Sequence, residues 1–335
     1  MKKILLTLMA AALMPVFAMA QGCPTPTTAT ATVTLKRKIP GLLDGNFSVS
    51  ATKKVAFAGG NLMYTKSTGK WKIMDHQYDM VETQGQNVGT DYADQDVVTL
   101  FGWATSGWDN TAADATSVHY QPYSTCNTDH STENNNYQYG PSNANVVGSS
   151  TAASAESWSK SDSYKNYDWG VKNSSDLGSG WRTLTTQEWG YLFNSRTGDK
   201  ASTVNGTANR TYTKATINTD GTPVKGIILF PDGGTFAASE FTAVGSPNTS
   251  GADFTTTCTI AQWTALEGKG CVFLPAAGGC DGTSVNDVGS YGKYWSSSAY
   301  SATHAYRLFF FSNNVDPQNN APRYNGYSVR LVQEL

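Results

Sequence analysis

The chain has 335 residues, ample for a large core, and its 24 Lys and Arg against 26 Asp and Glu leave a net charge of −2. Charged residues are 15% of the total, so the chain has no basic field with which to grip nucleic acid or an anionic membrane. Nine Trp, 17 Tyr and 13 Phe alongside 32 Gly point instead to a loop-rich extracellular protein with many short strands.

Lys2 and Lys3 precede an apolar stretch at residues 4–17 that is short for a membrane span, and Ala18-Met19-Ala20 places small residues where a signal peptidase reads. The expectation is a signal peptide at residues 1–20 and export, with a retained anchor as the alternative. Ala20-Gln21-Gly22-Cys23 lacks the Leu that opens a lipobox, so ordinary cleavage is preferred and a lipid tether at Cys23 stays open. Later segments are too polar to span a bilayer, and no transmembrane span is expected. Residues 21–45 read as a flexible Thr- and Pro-rich tether, and residues 46–335 as one domain.

Within that domain, Val55-Ala56-Phe57 reads as a strand. Asn61-Leu62-Met63-Tyr64 and Lys70-Trp71-Lys72-Ile73, joined through Ser67-Thr68-Gly69, read as a hairpin. Residues 109–160 are polar and poor in aliphatics, which marks a long surface insertion. Thr185-Thr186-Gln187-Glu188 is a capping box, with Trp189, Leu192 and Phe193 following at helical spacing. Thr259-Ile260-Ala261-Gln262 repeats the device ahead of Trp263 and Leu266. An apolar strand follows each helix, at residues 226–231 and 272–275. Two helices among short strands predict an α+β domain.

Of the five cysteines, Cys271 and Cys280 lie close enough in sequence to bridge, alongside Cys23, Cys126 and Cys258, but spacing leaves the connectivity open. The absence of a CxxC pair argues against zinc. His76, His119, His130 and His304 form no HExxH spacing, and neither a GxSxG elbow nor a phosphate-binding glycine loop is present. Asp281, Asn286 and Asp287 offer oxygens to calcium but read better as a polar turn. The reading is of a protein that is not an enzyme and needs no cofactor or metal.

Gly180-Trp181-Arg182-Thr183-Leu184-Thr185 leading to Glu188-Trp189 resembles the "GWRLPT…EW" opening of a family of bacterial C-type-lectin-like domains. Gly292-Lys293-Tyr294-Trp295-Ser296-Ser297-Ser298, followed by Arg323-Tyr324-Asn325-Gly326-Tyr327-Ser328-Val329-Arg330-Leu331-Val332, resembles its "G-YWSS … R-x-x-G-x-SVRLV" close. Phe273-Leu274-Pro275-Ala276-Ala277-Gly278 and Phe101-Gly102-Trp103-Ala104-Thr105-Ser106-Gly107 are similar to the same group. The group includes the Fibrobacter paralogous domain and the variable proteins of diversity-generating retroelements. The resemblance implies a C-type-lectin-like fold whose C-terminal segment, residues 295–332, carries the ligand-binding positions. It does not bring calcium-dependent sugar binding, because Asp316-Pro317-Gln318-Asn319 and Trp295-Ser296-Ser297 miss the animal lectin motifs. The formylglycine-generating enzyme is similar in its Gly-Trp-Arg and Val-Arg-Leu segments, but its catalytic cysteines lie near the C-terminus and this chain has none after Cys280.

In the tail, residues 305–311 read as a strand, so Leu308 and Phe310 share the core face while Arg307, Phe309 and Phe311 share the other. A cation and two rings aligned on an outer face suit recognition, with Tyr300, His304 and Tyr327 nearby. The alternative is that Phe309 and Phe311 pack beneath the insertion or a second sheet. Retroelement mutagenesis of Asn codons yields no Lys, Glu, Gln, Met or Trp, and between Ser298 and Tyr327 only Gln318 breaks that exclusion. On that pattern Asn313, Asn314, Asn319, Asn320 and Asn325 are unmutated template. The candidate ligand-binding positions are Ala299, Tyr300, Ser301, Ala302, His304, Arg307, Phe309, Phe311, Asp316, Ala321, Pro322 and Tyr327. Trp295, Ala305, Leu308, Phe310, Gly326, Val329 and Leu331 are scaffold. The leading expectation is an exported, secreted or surface-tethered protein that binds an extracellular protein or glycan. A fimbrial or adhesive envelope component and a formylglycine-generating-enzyme-like oxidase are the alternatives.

Overall fold

A computed structural model of the chain describes residues 41–65, 67–80, 97–103, 168–219, 223–281, 284–301, 304–322 and 325–335. The expected signal peptide, Cys23, the polar insertion at 109–160 with Cys126, and Ala302 lie outside the described residues. The packed body begins earlier than residue 46. Leu42 bridges to Ala58, and the Leu43 amide donates to the Phe57 carbonyl at 2.9 Å.

The first half supplies β1 (Phe47–Ser48), β2 (Lys54–Phe57), β3 (Leu62–Thr65), β4 (Lys70–Ile73) and β5 (Val97–Val98). Two single-turn helices, α1 (Trp169–Lys172) and α2 (Ser174–Leu177), lead into β6 (Trp181–Thr183) and α3 (Thr186–Asn194). Next come β7 (Ser202–Val204), β8 (Thr207–Arg210), β9 (Tyr212–Asn218), β10 (Val224–Leu229) and β11 (Thr235–Phe236). They are followed by β12 (Thr256–Thr259), α4 (Ile260–Gly268), β13 (Val272–Pro275), β14 (Ala277–Asp281) and β15 (Ser284–Val288). The chain closes with β16 (Gly292–Ala299), β17 (His304–Phe311), β18 (Asn314–Pro322) and β19 (Leu331–Glu334).

The expected α+β class does not hold. Strands make up 46% of the described residues and helices 15%, and the strands form several small sheets. Both capping boxes are present, yet each starts a helix of nine residues. A capping box fixes where a helix begins and carries no information on its length. The strand excess comes from polar segments such as Thr207–Arg210 and Asn314–Pro322, which lack the apolar alternation that marks a strand in sequence.

Two sheets place the candidate site. In one, β19 lies between β2 and β6, so the last strand pairs with one of the first. In the other, β16, β17 and β18 form an antiparallel meander. The inner face of that meander, Tyr294, Leu308 and Phe310, joins Phe57, Trp189 and Leu274 in one apolar cluster. A second cluster gathers Trp71, Phe101, Trp103, Trp169, Trp295 and Val329. A third packs Ile228, Phe230 and Phe273 against Trp263 and Leu266 of α4.

Cys271 and Cys280 do not bridge. Cys271 is a free thiol buried in the third cluster, and Cys280 is buried in the second. Cys258 is also free, and burial pushes its thiol up to about 12.

The clusters meet around Arg330, whose side chain is fully buried. Its Nε donates to Asn61 Oδ1 at 3.0 Å. Nη1 donates to the Ala58 carbonyl at 3.1 Å and to Gln77 Oε1 at 3.3 Å, while Nη2 donates to the carbonyls of Gln77 at 3.4 Å and Phe273 at 3.0 Å. All five bonds run to neutral oxygens, so the charge is held by dipoles rather than by a touching carboxylate. Burial lowers the guanidinium pKa to about 10, which leaves it charged at neutral pH. Gln77 relays the charge outward, its Nε2 donating to Glu267 Oε1 at 2.8 Å. Arg330→Met should cost about 3–5 kcal/mol by urea unfolding, since it strands several buried acceptors at once. Gln77→Ala should cost less than Arg330→Met in the same measurement, because it removes one acceptor, Oε1, and leaves Arg330 the other four.

Candidate functional site

The C-terminal meander offers two faces, and β17 assigns them by alternation. Leu308 and Phe310 are fully buried, whereas Arg307, Phe309 and Phe311 are half-buried. The cross-strand register builds three rows on the outer face. Trp295, Arg307 and Asn319 form the first, and Lys293, Phe309 and Asp316 the second. Phe311 and Asn314 form the third, with the Tyr291 ring laid over Phe311.

These side chains touch in sequence. The Arg307 guanidinium lies 4.5 Å from the centroid of the Phe309 ring and 4.7 Å from that of Tyr327. Its Nε donates to Asn319 Oδ1 at 3.0 Å. Tyr291 stacks on Phe309 at 5.6 Å and on Phe311 at 5.1 Å, with interplanar angles of 20° and 27°. Lys293 lies 5.5 Å from the Tyr291 centroid and pairs with Asp287 at 2.8 Å. Cation–π contacts of this partly desolvated kind are worth about 0.5–2 kcal/mol each. Burial lowers the pKa of Arg307, opposed by Tyr327, Asp316 and Asp287, and the group stays charged. The result is a continuous band of aromatic rings interleaved with two cations.

The other end of the same face is covered. Trp295, Ala299, Ala305 and Ala321 are buried in the second apolar cluster, under Phe101 and Trp103. Trp103 Nε1 donates to the Ser296 carbonyl at 2.9 Å, and Trp295 Nε1 to the Phe101 carbonyl at 2.6 Å. A second layer therefore closes over half of the outer face and leaves the half carrying Arg307, Phe309 and Phe311.

The candidate positions accordingly divide. Arg307, Phe309, Phe311 and Asp316 gather on the band. Tyr300, Ser301, His304 and Pro322 lie at the β16–β17 turn and its flank, where Tyr300 meets His304 at 6.4 Å and Tyr306 at 5.2 Å. That group sits with the other alternation set of β17 and is separate from the band. Ala299, Ala321 and Tyr327 are buried and are not displayed on the surface. Small or ring-bearing residues in a polar tail give no sequence signal of burial, and here a second layer supplies it. Tyr327 is the floor of the band, 4.6 Å from Trp295, and its backbone bridges to Phe101.

Sequence reading missed Tyr291, Lys293 and Asn319. Lys293 was legible: it precedes the core residue Tyr294 in a strand, so it points the opposite way. Tyr291 lies outside the strand and Asn319 follows a bulge, so alternation says nothing of either. Gln318, the exception to the codon pattern, is turned from the band, with its Nε2 3.4 Å from the Thr186 carbonyl. Asp287 has a positive φ of 66° and its carboxylate engages Lys293.

The motifs behind the resemblance have structural duties. Arg182 holds Glu188 through two bonds of 2.8 and 2.7 Å, while Glu188 Oε2 accepts from the Thr185 amide at 2.8 Å to close the α3 capping box. The Trp-Ser-Ser-Ser run forms a bulge in β16 that reaches the start of α3. The Ser297 amide donates to the Leu184 carbonyl at 2.8 Å, and the Thr186 amide donates to Ser298 Oγ at 3.1 Å. A Cβ at Gly292 would overlap the Phe310 ring, and one at Gly326 would lie 2.8 Å from Cys280 Cβ.

Lys214 fixes the end of the band. It is buried, and its Nζ donates to the carbonyls of Ser250 at 2.6 Å, Phe311 at 2.9 Å and Ser312 at 2.6 Å. Burial lowers its pKa to about 8, with Asp253 opposing.

No protein-family model, curated protein or solved structure gives a significant match to this chain. Among the described residues, no group of His, Cys, Asp and Glu is arranged to hold a metal ion, and no helix is long and apolar enough to cross a membrane.

Two outcomes follow from this geometry. Leu308→Ala should destabilise by about 2–5 kcal/mol, against roughly 1 kcal/mol for Phe311→Ser, in matched urea titrations. Between pH 8 and about 10.5 the unfolded chain keeps the Lys214 proton that the folded chain has lost, so this group's contribution to stability rises with pH. The stability of the wild type relative to Lys214→Met should therefore climb across that window and be flat below it.

Proposed function

We propose that the protein is an exported binding protein that recognises an extracellular protein through the band formed by Arg307, Phe309, Phe311, Tyr291 and Lys293. The observation that carries this reading is the split of β17. Its inner residues are sealed in the core, while its outer ones hold a guanidinium between two rings at a half-open surface. Folding the meander does not require that arrangement. Arg and aromatic side chains on a stiff sheet offer large contact area at low entropic cost, which is the composition that binding hot spots favour.

The resemblance of the tail to retroelement variable proteins supports a surface able to change while its scaffold stays. Asn313, Asn314, Asn319, Asn320 and Asn325, the positions matching an unmutated template, are half-buried or exposed. Asn314 and Asn319 pair with Phe311 and Arg307 on the outer face, so substitution at these two would alter the display without touching the inner face. Export rests on the Lys2-Lys3 start, the apolar run and Ala18-Met19-Ala20.

The test replaces Arg307, Phe309 and Phe311 together by serine. Clones selected from a displayed random-peptide library against the wild type should lose at least about tenfold in affinity for this variant. Its melting temperature should fall by less than about 8 °C. Selected clones that bind the variant as well as the wild type would place recognition elsewhere.

A further inference from the structure

At the Phe311 end of the band the surface dips into a cavity of about 320 Å3, lined by residues that include Lys225, Asp253, Ser290, Tyr291, Phe311 and Ser312. Its size is at the lower end of the range for small-ligand sites. Four separate segments build it: β10 brings Lys225, the loop before β12 brings Asp253, the turn before β16 brings Ser290 and Tyr291, and the end of β17 brings Phe311 and Ser312. Those segments are tied together. Lys214 binds the carbonyls of Ser250, Phe311 and Ser312, and Ser250 Oγ accepts from the Val315 amide at 2.7 Å.

The charge balance of the cavity is uneven. The ammonium groups of Lys225 and Lys214 lie 5.7 and 5.9 Å from the centroid of the Phe254 ring, one on the cavity wall and one behind it. The single carboxylate on the wall, Asp253, has Oδ1 already accepting from the Phe254 amide at 2.7 Å. Lys225 makes no ion pair among the described residues. Ser290 and Ser312 add hydroxyl donors at the rim. Lys225 and two hydroxyl donors against one partly engaged carboxylate favour an anionic guest, with Lys214 behind the wall already committed to three carbonyls, and the rings of Tyr291 and Phe311 favour an apolar or aromatic group beside it.

We propose that this cavity is an anchoring subsite for an acidic side chain of the protein partner, with Lys225 as the counter-ion and Tyr291 and Phe311 as the wall for the neighbouring side chain. This deepens, and rests on, the reading of the adjacent band as a binding surface. A carboxylate is the guest because a flexible ammonium and two hydroxyls suit a small anion, while the planar, bidentate recognition an arginine would provide is lacking in the cavity. The partner segment then lies across the meander, its acidic residue in the cavity and its following residues over Phe309 and Arg307.

The experiment titrates amide-labelled protein with N-acetyl-glutamyl-phenylalaninamide and with its glutaminyl analogue, following the amide signals of Ser290, Tyr291 and Ser312. The acidic dipeptide should saturate these shifts with about fivefold or greater preference over the neutral one, as expected for one exposed ion pair. Lys225→Gln should abolish the preference and Lys225→Arg should keep it, while Asp253→Asn should tighten the acidic dipeptide. Equal affinity for both dipeptides, or a preference that survives Lys225→Gln, overturns the proposal. Binding of glucuronate as tight as that of the acidic dipeptide also overturns it, in favour of an acidic sugar. If the dipeptide preference fails while Arg307-dependent capture of library peptides persists, the subsite falls and the band stands. The reverse result leaves the cavity as a site in its own right and removes the band.

Discussion

A buried guanidinium that donates five bonds to neutral oxygens is the constraint on which the rest of this structure depends. Among the described residues Arg330 has no carboxylate at contact distance, and it is tolerable in the interior because all five of its N–H groups are satisfied. The acceptors come from the segment between β2 and β3, from residue 77 beyond β4, and from β13, so early and late parts of the chain must arrive together. Asn61 and Gln77, which accept from Arg330, also reach Tyr294 and Phe273. The Tyr294 hydroxyl donates in turn to the Pro275 carbonyl at 2.8 Å, carrying the same network into the first strand of the C-terminal meander. A polar interior of this kind specifies one arrangement, since every alternative leaves a charge or an amide unpaired.

That rigidity is what permits display. A strand whose inner side chains are locked holds its outer ones at fixed spacing, and β17 is locked twice. Leu308 and Phe310 fill one cluster, while Ala305 on the opposite face is clamped by the layer containing Phe101 and Trp103. At its far end Lys214 grips the Phe311 and Ser312 carbonyls. Between the clamps, Tyr291 stacks on Phe309 and Phe311, and Arg307 rests on the ring of Tyr327, a member of the second cluster.

Much of the scaffold was legible in the sequence because its signals are local. The capping boxes at Thr185 and Thr259, the hairpin around Ser67-Thr68-Gly69 and the inner set of β17 follow from capping chemistry and alternation alone. The class was misread because a cap marks a start and not an extent, and because polar strands such as β18 carry no period. The site was partly legible. Alternation separated Arg307, Phe309 and Phe311 from Leu308 and Phe310, but it is blind to what lies above a strand. It therefore left Ala299, Ala321 and Tyr327 among the displayed positions although a second layer buries them. Tyr291 and the cavity beside it depend on contacts between distant segments, which no local pattern encodes.

The most direct measurement of the central claim is saturation substitution of residues 304–311, scored by protease resistance of the displayed chain and requiring no partner. Alternating tolerance is the predicted result: positions 307, 309 and 311 accept most side chains, while 305, 308 and 310 reject polar or shortened ones. Uniform intolerance along the strand would mean that the outer residues hold the fold together, and the account of this face as a surface for recognition would be wrong.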